Sequence, residues 1–314
     1  MIAQFFAFGL SAILLNKYII IKNPLFSMGF FNYYQSQVLY PFMILLLISS
    51  VIVILSKKNK SGLSKVDYSF LLLVFYNIYF LLAWIGLVAF KHLEISEQTY
   101  VLNFLKKVLL ISLFIGIYQV ATHSSLGLQV IGETNISNNI LGLSTINVYG
   151  YKIVRAYGTM AHPNILAGYV AILGIYGWLN IFTFSLSGLL AQIDYFKFRI
   201  KMLVPVLVLM LIKNPLLNPS SYTERIQQLT QTTPKDYIHN VFLELAFNNP
   251  IYLIGYIGIL SQIYAQNKQI ALSMFVLSMF DHYLITHPQG IMLLAVACML
   301  SNHTAKKQKK SVDH

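Results

Sequence analysis

The stretch YVLNFLKKVLLISLFIGIYQVAT, residues 100–122, decides how the rest of the chain is read. Apart from Lys106 and Lys107 it carries no charge. A helix needs about 20 mostly apolar residues to cross ~30 Å of hydrocarbon, because every backbone amide must find its partner inside the segment. Comparable apolar runs lie at 2–21, 38–55, 68–90, 164–191, 202–217, 241–264, 270–281 and 284–300. The run 202–217 is the shortest in effect, being interrupted by Lys213 and Pro215. The first run lacks a basic start and a small-residue cleavage site, so it reads as a retained anchor. Hydrophobic residues make up 57% of the 314 and charged residues 10%, with a mean hydropathy of +0.64. A soluble domain is roughly 25% charged. The chain is therefore expected to be all-α, a polytopic transmembrane helical bundle of about eight to ten spans whose outer-face loops form the site.

The formal charge of +12 excludes little until the cations are placed. Nucleic-acid binding would cluster them with stacking aromatics on a soluble module. Here they sit in short connections: SKKNKSGLSK (56–65), DYFKFRIK (194–201) and the tail KKQKK (306–310). Basic connections mark the cytoplasmic side. Counting back from the tail, 281–289 faces out, 265–269 in, 213–240 out, 192–201 in and 123–162 out. Lys91, Lys106 and Lys107 also make 91–107 cytoplasmic, so 68–90 has to turn back as a re-entrant hairpin or a pair of short helices around Trp84 and Gly86. The organisation expected is N-terminal helices over 1–122, a core over 123–303 with outer loops 123–162 and 213–240, and a basic cytoplasmic tail over 304–314. The lone cysteine, Cys298, gives no disulfide framework and no CxxC site.

Two arginines, Arg155 and Arg225, lie in the outer loops against that bias, and each heads a polar stretch. In RAYGTMAHPNILAGYV (155–170), Pro163 suits the first turn of a helix and Asn164 can satisfy a free backbone group there. The positive end of that helix beside Arg155 and His162 favours an anion such as a phosphate. Spacing alone is equally met by a capped helix with a surface arginine. In SSYTERIQQLTQTTPKDYIHNVFLELAF (220–247), Arg225 precedes His239 and Asn240, and Glu244 falls in the first turns of the next span. A neutral imidazole can take a proton from a hydroxyl nucleophile, and a carboxylate at that depth is costly unless paired or used. MFDHYLITHPQG (279–290) adds Asp281, His282 and His287. One carboxylate and two imidazoles without i, i+4 spacing do not make a metal motif. Asp281 is read instead as fixing His282 or an arginine. No Walker loop, GxSxG, HExxH or Asp-rich motif is present, so the site is expected to use arginines and histidine and not a nucleotide fold.

Taken together, RAYGTMAHPNILAGYV, HNVFLELAF and FDHYLITHPQG, in this order, resemble the O-antigen ligase and O-antigen polymerase superfamily of membrane glycosyltransferases over about residues 118–300. The resemblance implies transfer of a glycan from an undecaprenyl-diphosphate carrier to an acceptor hydroxyl on a glycan, lipid or protein. The reaction would run at the outer face of the cytoplasmic membrane, with inversion at the anomeric carbon. Carried over by position, Arg155 and Arg225 hold the diphosphate, and His239 orients or deprotonates the acceptor. His162, Asn164, Asn240, Glu244, Asp281 and His282 line the substrate. No cofactor, metal or nucleic acid is implied, and the surroundings are membrane lipids. Two departures stand out. Leu186 replaces an arginine common in the family, and the outer loop after Arg225 is short. The alternatives in view are a surface-polysaccharide polymerase, a non-catalytic member, and a lipid-linked glycan transporter.

Overall fold

A computed structural model describes residues 1–15, 19–22, 36–57, 62–136, 144–148, 151–174, 183, 185, 188, 240–280 and 282–312. These residues are mostly helical. The helices are α1 (Ile2–Ser11), α2 (Pro41–Ser56), α3 (Lys65–Val74), α4 (Tyr79–His92) and α5 (Ile95–Thr122), followed by α6 (Pro163–Leu173). The C-terminal part adds α7 (Val241–Asn248), α8 (Pro250–Gln266), α9 (Lys268–Phe280), the single turn α10 (Tyr283–Thr286) and α11 (Pro288–Val312). Two antiparallel strand pairs depart from an all-α reading: β1 (Ile19–Lys22) with β2 (Ser36–Leu39), and β3 (Thr145–Val148) with β4 (Tyr151–Val154). Both are built from β-branched runs, IIIK, TINV and YKIV among them, which pack better on a pleated strand than in a helix.

The apolar runs are divided more finely than expected. The first is helical only to Ser11, tightens into a 3-10 turn over Ala12–Leu14, and its end belongs to β1. The run 241–264 breaks at Asn249, whose side chain accepts the Ile251 N–H and caps α8, with Pro250 in the first turn. Only one described helix, α5, is long and apolar enough by itself to cross a membrane. Its 28 residues rise about 42 Å. α1, α2, α4, α6 and α9 are shorter apolar helices.

The helices share two polar ends. At one end, Lys91 at the close of α4 pairs with Asp67 at the start of α3 at 2.7 Å. Lys57 just past α2 pairs with Glu97 at the start of α5 at 2.8 Å. Gln266 at the close of α8 donates to Asn302 of α11. At the other end, the Tyr40 ring before α2 lies against Tyr79 at the start of α4 and His287 before α11. Asn77, between α3 and α4, donates to the Ile285 carbonyl. The segment 68–90 is therefore an antiparallel pair of short helices. Its turn lies at Phe75–Ile78 and not around Trp84 and Gly86, which sit inside α4. Lys57, the start of α3 and the start of α5 accordingly share one end. α11 runs without a break from the buried stretch Ile291–Met299 through the basic residues as far as Val312.

Between the ends the packing is apolar on both sides. α2 buries Phe42, Met43, Leu46 and Val53, while Ile44, Leu47, Ile48, Val51 and Leu55 face outward. Ile111 and Phe114 of α5, and Ile254 and Ile257 of α8, are also exposed. The Lys91–Asp67 pair closes the α3–α4 hairpin with side chains only 11% and 1% exposed. Asp67 also completes a capping box with Ser64. Burial acts to raise its pKa, but hydrogen bonds from Lys91 and Ser64, with the Lys91 charge, bring it below the ordinary value. The carboxylate stabilises the fold above the unfolded pKa of about 4, and that contribution disappears as pH falls through the lowered folded value. Asp67→Asn should lower stability by about 3 kcal/mol at pH 7. In thermal unfolding of the detergent-solubilised protein, the gap to wild type should narrow as pH falls below about 4. A gap independent of pH would rule out the ion pair as its source.

Candidate functional site

The segment 155–162 has no helix or strand to satisfy its backbone, yet most of it is buried. Four side chains from elsewhere do so. Gln119, in the last turn of α5, accepts the N–H of Tyr157 (3.2 Å) and of Gly158 (2.9 Å) and donates back to the Gly158 carbonyl. Ser112, two turns earlier, accepts from the Thr159 N–H at 3.0 Å and from its hydroxyl. Thr134 donates to the Met160 carbonyl. Gln289, fully buried at the start of α11, accepts the Ala161 N–H and donates to the Ile13 carbonyl. Gly158 has φ +60, and a Cβ there would strike the Ser112 carbonyl, so the backbone lies flush against α5. Glu133 locks the far side, accepting from Gln119 and from the N–H groups of Leu126 and Leu128.

This strap sets Arg155 at the end of β4, where its N–H continues the ladder to the Ser144 carbonyl. Its guanidinium donates to the Thr183 carbonyl at 2.8 Å, the Ser144 hydroxyl at 2.9 Å and the Asn164 side-chain oxygen at 2.5 Å. These three acceptors are neutral oxygens and fix the direction of the planar group. Next to it, burial raises the pKa of Tyr157, whose oxygen accepts the Ser144 N–H; that bond and the Arg155 charge act the other way.

The capping of α6 differs from expectation. His162 is the cap, its Nδ1 accepting the Asn164 N–H at 3.2 Å, and the Asn164 side chain is used by Arg155. Because Nδ1 accepts, the neutral His162 carries its proton on Nε2. The same device recurs at His287-Pro288-Gln289, where His287 Nδ1 accepts the Gln289 N–H at 3.3 Å and Nε2 meets the Tyr40 hydroxyl at 3.4 Å. Burial pushes the His287 imidazole down to about 4, so it stays neutral and structural at neutral pH.

The three polar stretches meet at this end. The Tyr283 ring lies against both imidazoles, 4.6 Å from His162 and 4.5 Å from His282, and the Tyr157 ring is 6.2 Å from His162. Close packing of Gly290 under the Tyr283 carbonyl, where a Cβ has no room, holds the α10 turn down. Asn240 caps α7 by accepting the Phe242 N–H and donates to the Met279 carbonyl at the close of α9, so the second and third stretches are tied together. Glu244 lies deeper. One oxygen accepts from Tyr76 at 2.8 Å, and the other is buried with no partner among the described residues. Arg225, His239, Asp281 and Leu186, and the loop 213–240 up to His239, lie outside the described residues. Among the described residues no group of three or more His, Cys, Asp or Glu is placed to hold a metal ion.

No family model, curated protein or solved structure gives a significant match to this chain. The residues that sequence reading passed over are the supports: Gln119, Ser112, Thr134, Gln289 and Glu133. A glutamine in an otherwise apolar helix near its end, as at 119, is the one trace they leave in sequence. Gln119→Leu would strand the Tyr157 and Gly158 N–H groups and should cost about 3 kcal/mol. The exposed Gln308→Leu should be neutral. Thermal unfolding of the two variants side by side tests this, and equal midpoints would remove Gln119 from its role.

Proposed function

We propose that this chain is an integral membrane glycan transferase of the O-antigen ligase type. In this reading it moves a glycan from undecaprenyl diphosphate to an acceptor hydroxyl at the outer face of the cytoplasmic membrane. The observation that carries the reading is convergence. Arg155, His162 and Asn164 lie together with His282, and Asn240 is bound to the turn before it, although these residues span 155 to 282 in sequence. The resemblance marks Arg155 for the diphosphate and the others for the substrate, and local folding does not require residues 155–164 to meet His282.

A membrane setting is supported by the outward-facing aliphatic side chains of α2, α5 and α8 and by the gathering of Lys57, Lys91 and the α11 lysines at the opposite end. Apolar faces on both sides of a helix suit hydrocarbon on one of them, and basic residues favour the cytoplasm. The motif end then faces out.

The chemistry asked of these residues is modest. The glycosyl C–O bond to the diphosphate breaks as the acceptor oxygen attacks from the opposite side. Negative charge grows on the departing phosphate oxygen, where fixed cationic donors are worth most. Arg155 supplies one such donor, already oriented. Arg225 is assigned the same task by position, and His239 the proton of the acceptor hydroxyl. Asn164 acts through Arg155, and Tyr283 orders the two imidazoles beside it.

Purified protein in nanodiscs, given an undecaprenyl-diphosphate glycan without divalent metal, should transfer the glycan. Arg155→Ala, Arg225→Ala and His239→Ala should each lower the rate about a hundredfold or more with insertion and yield unchanged. Equal transfer by all three variants and wild type would overturn the site.

A further inference from the structure

The basic end holds an arrangement that the transfer reaction does not use. On α11, His303, Lys306 and Lys307 stand at i, i+3 and i+4 and share one face. On α5, Thr99 and Lys106 are separated by two turns and share another. The two faces are joined where Thr99 Oγ1 meets His303 Nε2 at 2.9 Å. Thr99 spends its single proton on the Ile95 carbonyl at 2.8 Å, so it accepts from His303, whose proton is on Nε2. His303 Nδ1 is left without a hydrogen-bond partner among the described residues.

α5 begins and α11 closes at this end, so the helices run antiparallel. Side chains tilt toward the N-terminus of their own helix. Lys106 therefore leans down toward His303, and Lys306 and Lys307 lean up toward it. His303 itself is 9% exposed. Burial, followed by the charges of Lys307, Lys106 and Lys306, lowers its pKa; burial and Lys91 do the same to Lys306. The described acids at this end are engaged elsewhere: Asp67 with Lys91, Glu97 with Lys57, and Glu94 in the cap of α5. No described carboxylate forms an ion pair with Lys106, Lys306 or Lys307.

We propose that Lys106, His303, Lys306 and Lys307 form a binding site for a phosphate-bearing anion at the end of the bundle opposite the donor site. A phosphate has the charge to offset three cations gathered around one imidazole and the oxygens to accept from each. Its source is a phospholipid headgroup or a free phosphate, and the two are separable by experiment.

The test uses full-length protein in mild detergent and native mass spectrometry with added phosphatidylglycerol or phosphatidylcholine. Wild type should retain phosphatidylglycerol and not phosphatidylcholine. The double variant Lys106→Gln/Lys306→Gln should retain about tenfold less. Lys107→Gln/Lys309→Gln, which removes the same charge from neighbouring positions, should match wild type. Thermal midpoints of both variants report folding. Retention undisturbed by millimolar inorganic phosphate assigns the site to lipid. Adducts displaced by phosphate, with phosphate raising the midpoint of wild type and not of the first variant, assign it to a free anion. Equal loss in both double variants, or no preference for phosphatidylglycerol together with no shift by phosphate, would overturn the site.

Discussion

A buried stretch of irregular backbone must have its amides and carbonyls satisfied, and residues 155–162 meet much of that requirement through side chains borrowed from α5, from α11 and from Thr134. Gln119 takes two amides and returns one donor; Gln289 links the strap to the chain near Ile13. Everything at the motif end follows from where this strap lies. It ends in His162 and starts α6, it begins at Arg155 and closes the β3–β4 ladder, and it brings His162 against Tyr283. An apolar substitute at 119 or 289 leaves several polar groups stranded at once, which is why two glutamines carry more structural weight than the larger side chains around them.

The second organising feature is the separation of polar groups into two ends. α5 links them directly, with Glu97 at one end and Gln119 at the other. Shorter helices reach the same two levels in pieces, as α3 and α4 do around Phe75–Ile78. The ends differ in character. The motif end is built from side-chain hydrogen bonds, the Glu133 carboxylate among their acceptors, from tilted aromatic and imidazole rings, and from one oriented guanidinium. The basic end is built from ion pairs and surplus lysines.

Sequence reading reached the helical character of the chain, the two-ended arrangement of its polar segments and the turn-back between 68 and 90, because each rests on hydropathy or charge, which act over many residues. It placed that turn around Trp84 and Gly86; the actual turn at Phe75–Ile78 is held by the local bond from the Tyr79 N–H to Asn77 and by contacts of Asn77 with Ile285 and of Tyr79 with Tyr40, which are distant in sequence. It expected one helix over 2–21, where three consecutive isoleucines favour a strand. Arg155, His162 and Asn164 were legible as a group, but not that the imidazole caps the helix while the amide holds the arginine. Such details depend on which of two short polar side chains reaches which donor, and no local pattern encodes that.

The central claim is that the motif end and the basic end lie on opposite faces of a membrane, with the motif end outward. Cysteine labelling tests it directly, because the native Cys298 is buried and silent. Val130→Cys, at an 80% exposed position after α5, and Lys309→Cys, near the close of α11, would be expressed singly in intact cells and exposed to a membrane-impermeant maleimide. The account predicts that Cys at 130 is labelled in intact cells and Cys at 309 only after the cells are opened. Labelling of both positions in intact cells, or of 309 alone, would contradict it.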